Sequence, residues 1–294
     1  MLPYFEQPAW QIGPLTIHVF GVAVAVALWL GLTRAQREFL GRGLDPVIGY
    51  RLGGWMLAGG VLGAHLVAVL LYVPQKLQND PWLLVRVWED ISSFGGILGG
   101  IAGAYLYVLV RLRETDWRPM LPYLDVVAFV FPASLAIGRL GCALAHDHPG
   151  VVTSFPLAIS LNSESARAYI AGVYDASNLA PPSMAPTLGF HDLGLYEFLF
   201  LASIVVPAFV VWSRRRREPG YYLIAFSALY FPVRFGLDML RVADARYLGL
   251  TPAQWGAALI MATLPFAAVR QRRLRIAIVG AVVLVTACAC WGGT

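Results

Sequence analysis

The chain has 294 residues, 58% of them hydrophobic and only 13% Asp, Glu, Lys or Arg, against about 45 to 50% and about 25% in soluble domains. That balance excludes an ordinary water-soluble domain and indicates a polytopic membrane protein. The formal net charge of +5 comes without the basic, aromatic platform that binds nucleic acid, so nucleic acid is excluded as a partner and the charge is read as facing anionic inner-leaflet lipid.

In chain order, the polar start Met1 to Gly13 lacks the basic beginning of a cleaved signal peptide. Apolar runs then predict spans at 15–33, 47–72, 94–110, 124–145, 193–212, 221–240 and 252–269. Each is at least as long as the roughly 17 residues that a span needs, and 276–291 is a short eighth. The expected fold class is all-α: a polytopic bundle of seven transmembrane helices plus the short eighth, in one domain over 1–294. Arginines cluster in alternate loops: Arg34, Arg37 and Arg42; Arg111, Arg113 and Arg118; Arg214 to Arg217; Arg270, Arg272, Arg273 and Arg275. Short Lys- and Arg-rich loops stay cytoplasmic, which sets the N-terminus outside and, with eight spans, the C-terminus outside as well.

Segment 146–191 stands apart, with Pro149, Pro156, Pro181, Pro182 and Pro186 among Ser and Asn. It is too polar to span and too long for a tight turn, so it is either disordered or functional. We take it as a small external head over the mouth of the bundle.

Several polar residues sit at membrane depth. Arg139, flanked by Gly138 and Gly141, ends an apolar run; a charge there costs about 2.5 to 3.5 kcal/mol on insertion and implies an anionic partner or a polar cavity. The glycines would let a bulky anion approach closely. Arg234 and Asp238 form an i, i+4 pair with Arg241 one turn on, either a self-neutralising tether or an anion site. Two arginines on one aspartate leave a positive charge over, which favours a ligand. Glu197 needs a partner, for which Arg139 or Arg234 is available. His18 and His65, lone in spans 1 and 2, are expected to be buried structural histidines. Gly95 and Gly96 open span 3 behind Ser92 and Ser93; close helix packing accounts for them, as would approach of a lipid headgroup. Cys142 is expected to be a buried, inert thiol. His146-Asp147-His148 lacks the spacing of a metal site, and its histidines are expected to be satisfied within the loop. No metal and no cofactor are expected. The stretch 270–288, basic, then apolar, then small residues before Cys288, has the outline of a lipoprotein signal peptide, although an ordinary terminal span ending in small residues is the reading preferred.

These fragments, in order, carry a resemblance. Ile12-Gly13-Pro14 with His18 and Gly21, Arg86-Val87-Trp88 followed by Ser93 and Gly95-Gly96, then Gly138-Arg139-Leu140-Gly141, His191 with Leu195-Tyr196-Glu197, and Arg234, Asp238 and Arg241 resemble the prolipoprotein diacylglyceryl transferases. That family moves diacylglycerol from phosphatidylglycerol to the thiol of a lipoprotein precursor. The resemblance implies a bacterial plasma-membrane enzyme whose partners are phosphatidylglycerol and other membrane lipid, with lipoprotein precursor signal peptides as acceptors. It also implies Arg139, Arg234 and Glu197 as catalytic residues. Asp238, Arg241, Gly95, Gly96, Gly138, Gly141, Tyr196 and His18 would bind substrate.

The departures are as specific. Phe94 stands where the family pattern has histidine, Cys142 where it has asparagine, Phe20 where it has tyrosine and His65 where it has arginine. The arginines that would hold phosphate persist, while no obvious base remains to deprotonate the thiol; His65, His146, His148 and Glu197 are the candidates. Two readings stay open: a divergent transferase, and a catalytically degenerate paralogue that binds anionic phospholipid or lipoprotein signal peptides. A transporter is the weakest reading, since neither inverted repeats nor paired broken helices are apparent.

Overall fold

The computed structural model describes residues 1–112, 118–242 and 244–268. Arg113, the basic run 270–275, and the predicted eighth span with Cys288 and Cys290 lie outside the described residues.

The chain opens with an antiparallel hairpin, β1 (Ala9–Ile12) and β2 (Leu15–His18), whose two-residue turn uses Gly13 at φ +58°. Helix α1 (Val19–Gly41) therefore begins only after the hairpin, and His18 is an exposed residue at its N-cap, not the buried histidine expected inside a span. Helix α2 (Pro46–Val67) starts where Asp45 Oδ1 accepts from the Val47 N–H at 2.8 Å with Pro46 in the first turn, and a π turn carries it to Tyr72. After the short α3 (Pro74–Asn79), α4 (Ser93–Leu106) is capped by Ser92 Oγ and runs on through a second π turn to Leu112.

Helices α2 and α4 meet backbone to backbone. A Cβ on Gly99 would lie 2.1 Å from the Gly59 carbonyl oxygen, one on Gly95 2.3 Å from that of Gly63, and one on Gly103 2.1 Å from that of Trp55. The glycine run is thus the small-residue contact that lets helices approach in a bilayer.

Helix α5 (Leu121–Ala145) packs against α1, α7 (Leu193–Phe200) and α9 (Tyr221–Met239). A π turn joins α7 to α8 (Val206–Trp212), and α10 (Pro252–Ala268) packs on α9. Thr251 and Gln254 form a capping box at the start of α10: Thr251 Oγ1 accepts from the Gln254 N–H at 3.2 Å, and Gln254 Oε1 accepts from the Thr251 N–H at 2.9 Å. The main core, with Phe129, Phe209, Tyr222, Phe226, Tyr230 and Phe231, lies where α5, α8 and α9 converge.

Five helices, Val19–Gly41, Pro46–Tyr72, Ser93–Leu112, Arg118–Ala145 and Leu193–Trp212, are long and apolar enough to cross a membrane. Trp29, Leu57, Ile101 and Ile204 on them are exposed, the outward apolar dress expected of a chain whose solvent is lipid. Helices α9 and α10 coincide with the sixth and seventh predicted spans, but α9 carries Arg234 and Asp238 inside its 19 residues and α10 has 17 residues within the described part.

Segment 146–191 is folded. Strands β3 (Pro149–Thr153), β4 (Ile159–Ser160) and β5 (Gly189–Asp192) make an antiparallel sheet in the order β3-β5-β4, and α6 (Glu164–Ala176) is capped by Ser163 Oγ. They share a core of Ile159, Leu161, Ala166, Ile170, Tyr174 and Phe190, which the N-terminal Tyr4 joins. Both small sheets are additions to the purely helical expectation. The Val151 N–H donates to the Leu240 carbonyl at 2.8 Å, tying this unit to the end of α9.

Candidate active site

Strand β5 runs directly into α7 with Asp192 as the cap, its Oδ1 accepting from the Leu195 N–H at 3.0 Å. That junction sets Glu197 on the face of α7 turned to α5 and α9. Arg139, near the C-terminal end of α5, brings Nε to 3.0 Å from Glu197 Oε1, and Arg234 of α9 brings Nη1 to 3.2 Å from Oε2. Tyr230, one turn before Arg234, donates its hydroxyl to Glu197 Oε1. Arg234 Nη2 is 3.0 Å from Asp238 Oδ1, and Thr251 Oγ1 donates to Asp238 Oδ2, coupling the α10 capping box to the same network. Arg241, 18% exposed, sits 3.9 Å from Asp238 and 3.0 Å from Asp244.

Arg139, Glu197, Arg234 and Asp238 are all buried. Charges so far from water persist only when paired, and removing one partner from such a pair costs about 3 to 5 kcal/mol. The Glu197 pairing predicted with Arg139 or Arg234 is made with both. The positive surplus predicted on α9 is not found: Glu197 takes up Arg234 as well as Arg139, and Asp244 meets Arg241. Asp244 lies outside the helices, and burial pushes its carboxyl above the ordinary value against the opposing pull of Arg241.

One end of the network is a corner formed where α5 stops. His146, in left-handed conformation at φ 51°, ends the helix. Its Nδ1 meets Asp192 Oδ2 at 2.7 Å and its ring packs on Tyr4 and Phe5, while Nε2 is buried without a hydrogen-bond partner, so the histidine expected to be satisfied is only half so. His148 turns the other way: Nε2 lies 3.1 Å from Arg139 Nη1, and Nδ1 donates to Asp147. Arg139 Nη1 is also 3.8 Å from the buried Cys142 thiol. The ligand-type atoms of Cys142, Asp147 and His148 lie within 4.8 Å of one another, but the guanidinium already supplies positive charge there, which favours an anion over a metal ion.

Phe94 lines a narrow cleft between α4, α9 and α10 with Ser93, Ile97, Tyr230, Phe231, Arg234 and Ala253. Gly256 makes room for its ring, since a Cβ there would come within 1.9 Å of it. His65, fully buried, faces the carbonyls of Glu89 and Leu83 at 2.7 and 2.9 Å.

Other predicted residues lie apart from the charged network. Gly95 and Gly96 face α2, and Gly141 packs on Ala23 and Phe20 of α1, whereas Gly138 has open space at its Cβ position. Tyr196 bonds His191 at 2.9 Å and packs on Phe155. Tyr230 was missed by sequence reasoning although its i, i+4 spacing to Arg234 placed it on the same stripe; Thr251 and the inward turn of His148 had no comparable signal.

The family model described as prolipoprotein diacylglyceryl transferase matches residues 7–270. The chain is similar to proteins named phosphatidylglycerol–prolipoprotein diacylglyceryl transferase. That of Chromohalobacter salexigens is 30% identical, over 86% of this chain and 85% of that protein; that of Ralstonia pickettii is 28% identical, over 85% and 86%; and that of Escherichia coli O1:K1 is 26% identical, over 84% of each. With the match running through every helix that builds the charged network, the chain belongs to the prolipoprotein diacylglyceryl transferase family.

Proposed function

We propose that the protein transfers the diacylglyceryl group of phosphatidylglycerol to the cysteine thiol of lipoprotein precursors, in the cytoplasmic membrane of a bacterium. In this reading α9 and α10 complete seven spans, and the chain is one domain with its N-terminus outside. The alternating arginine loops support that orientation. It places 146–191 as the external head, beside which precursor signal peptides would approach from the surrounding lipid.

The observation that carries the reading is the buried junction of Arg139, Glu197 and Arg234, which joins three helices inside the region shared with the named transferases. Guanidinium groups fork onto phosphate oxygens and stay charged, so they can hold the donor phosphate and neutralise it as it leaves. Glu197 and Tyr230 orient them. Arg139 is the residue best placed to exchange partners: Nη1 rests on the neutral acceptors Cys142 and His148, which a phosphate oxygen would replace at a gain in charge-assisted bonding. Asp238 and Arg241 extend the polar lining towards the head, and Gly138 leaves the backbone beside Arg139 uncovered.

Phe94 favours a second reading, a paralogue that binds lipid or signal peptide without catalysis, because an apolar ring lines the cleft beside Arg234 where the family pattern has histidine. Transfer of radiolabelled diacylglyceryl from phosphatidylglycerol to a lipobox peptide separates the two. The transferase reading expects label in the peptide with wild type and about 10²- to 10³-fold less with Arg139→Ala. Absence of transfer by wild type, with Arg139-dependent lipid binding retained, would leave the binding paralogue.

A further inference from the structure

Transfer to a thiol requires that a proton leave it, since a free cysteine with its pKa near 8.5 is mostly protonated at neutral pH. Three of the four candidate acceptors are buried away from an incoming thiol or committed elsewhere. His65 has both ring nitrogens on backbone carbonyls and no exposed surface. His146 has Nδ1 on Asp192, and its unpartnered Nε2 is buried, the ring packed on Tyr4 and Phe5 and sealed from an incoming thiol. Glu197 spends both oxygens on Tyr230, Arg139 and Arg234. His148 differs: its side chain is 12% exposed, Asp147 fixes Nδ1 as the protonated nitrogen, and Nε2 presents a lone pair 3.1 Å from the guanidinium proposed to take the phosphate.

We propose that His148, oriented by Asp147, is the base that accepts the thiol proton, and that Arg139 masks it until the donor phosphate binds; this rests on the transferase reading. Arg139 Nη1 donates to His148 Nε2 when no anion is present. A phosphate oxygen draws that donor away and uncovers the lone pair beside the reacting centre. The thiol proton then passes to Nε2 as sulfur bonds to the glyceryl carbon. The carbon–oxygen bond to phosphate breaks, its electron pair leaves on glycerol phosphate, and Arg139 holds the new charge. His148 finally returns the proton to the departing phosphate or to water.

The charges around the ring agree with this order. Arg139 and Cys142 face it from α5, Glu197 from α7, Arg241 from beyond the end of α9, and Asp147 from its own turn. Burial first, then Arg241 and Arg139, push His148 down to about 4 against the pull of Asp147. The ring is therefore neutral at neutral pH and, in the lipid-free protein, a weak base. Phosphate on the arginines offsets their effect and moves His148 back up, strengthening the base when the donor is in place. The bond to His148, aided by Arg139, outweighs burial and keeps Asp147 below the ordinary carboxylate value, so it remains an anion.

The test is transfer to a lipobox peptide as a function of pH by the full chain in phosphatidylglycerol nanodiscs, for wild type, His148→Gln and Asp147→Asn. His148→Gln should be slowed about 10²- to 10⁴-fold at neutral pH with phosphatidylglycerol binding unchanged. Its rate should climb about tenfold per pH unit until the peptide thiol ionises near 8.5, whereas wild type should be flat over that range and fall only as pH drops through the lipid-bound value of His148. Asp147→Asn should give a smaller loss and a shifted acid limb, as expected of a positioning residue. In nitrogen NMR, the His148 resonance should titrate higher with phosphatidylglycerol than with uncharged lipid, and the difference should vanish in Arg139→Gln. A His148→Gln protein as fast as wild type, or one that loses lipid binding in proportion to transfer, would overturn the assignment while leaving the transferase reading intact. Wild type without transfer would overturn both.

Discussion

The two ends of α5 each bury a charge, and they do so by different means. At one end Asp125, 1% exposed, spends Oδ1 on the N–H groups of Tyr222 and Leu223 at the start of α9, while Oδ2 takes Arg42 at 3.2 Å. Its partners are orphan donors of a helix N-terminus plus one half-exposed arginine, and the arrangement is complete. At the other end Arg139 belongs to a network of side chains from α5, α7 and α9, in which Arg139 Nε, Asp238 Oδ1 and Asp244 Oδ2 lack a well-formed hydrogen bond. Backbone donors cannot be exchanged for a ligand; neutral side-chain acceptors such as Cys142 and His148 can. A buried charge therefore reads as structural when it caps a helix and as functional when its partners are replaceable.

The largest effect that would break this contrast belongs to Arg139→Ala, for which a loss of about 10²- to 10³-fold in transfer is expected. Glu197→Gln comes next. It leaves Arg139 and Arg234 short of their shared anion and should lower stability by about 3 to 5 kcal/mol, visible as early thermal unfolding in detergent. Asp125→Ala should cost about 2 kcal/mol, the upper range for a lost cap, because Arg42 can turn to water; transfer per folded molecule should be unchanged. Smallest is Tyr196→Phe, which removes only the bond to His191 and should alter transfer less than about threefold. A large activity loss there would extend the site beyond the charged network.

Much of the bundle was legible because a bilayer allows few ways to satisfy a backbone: apolar run length placed α2, α5, α7 with α8, α9 and α10 closely. The start of α1 was misread because Leu15 to His18 is as apolar as a helix while Gly13-Pro14 folds it back as a strand. The strands of 146–191 were invisible, being two to five residues long and held by tertiary packing. Within the site, Arg234 with Asp238 followed from i, i+4 spacing, and Glu197 from the cost of an unpaired carboxylate. The charge balance did not follow, because Glu197 and Asp244 reach the arginines through tertiary structure that local spacing cannot reveal. The two outcomes allowed for Gly95 were separated only by the carbonyl of Gly63 against it.

The most direct test compares the two ends of α5 in one experiment: diacylglyceryl transfer per folded molecule and thermal midpoint for Arg139→Gln and Asp125→Asn in the same lipid. Arg139→Gln is expected to lower transfer about 10²- to 10³-fold while a folded, monodisperse protein remains, and Asp125→Asn to lower the midpoint while transfer per folded molecule stays at the wild-type level. Transfer near the wild-type rate in Arg139→Gln, or lost in folded Asp125→Asn, would contradict this contrast.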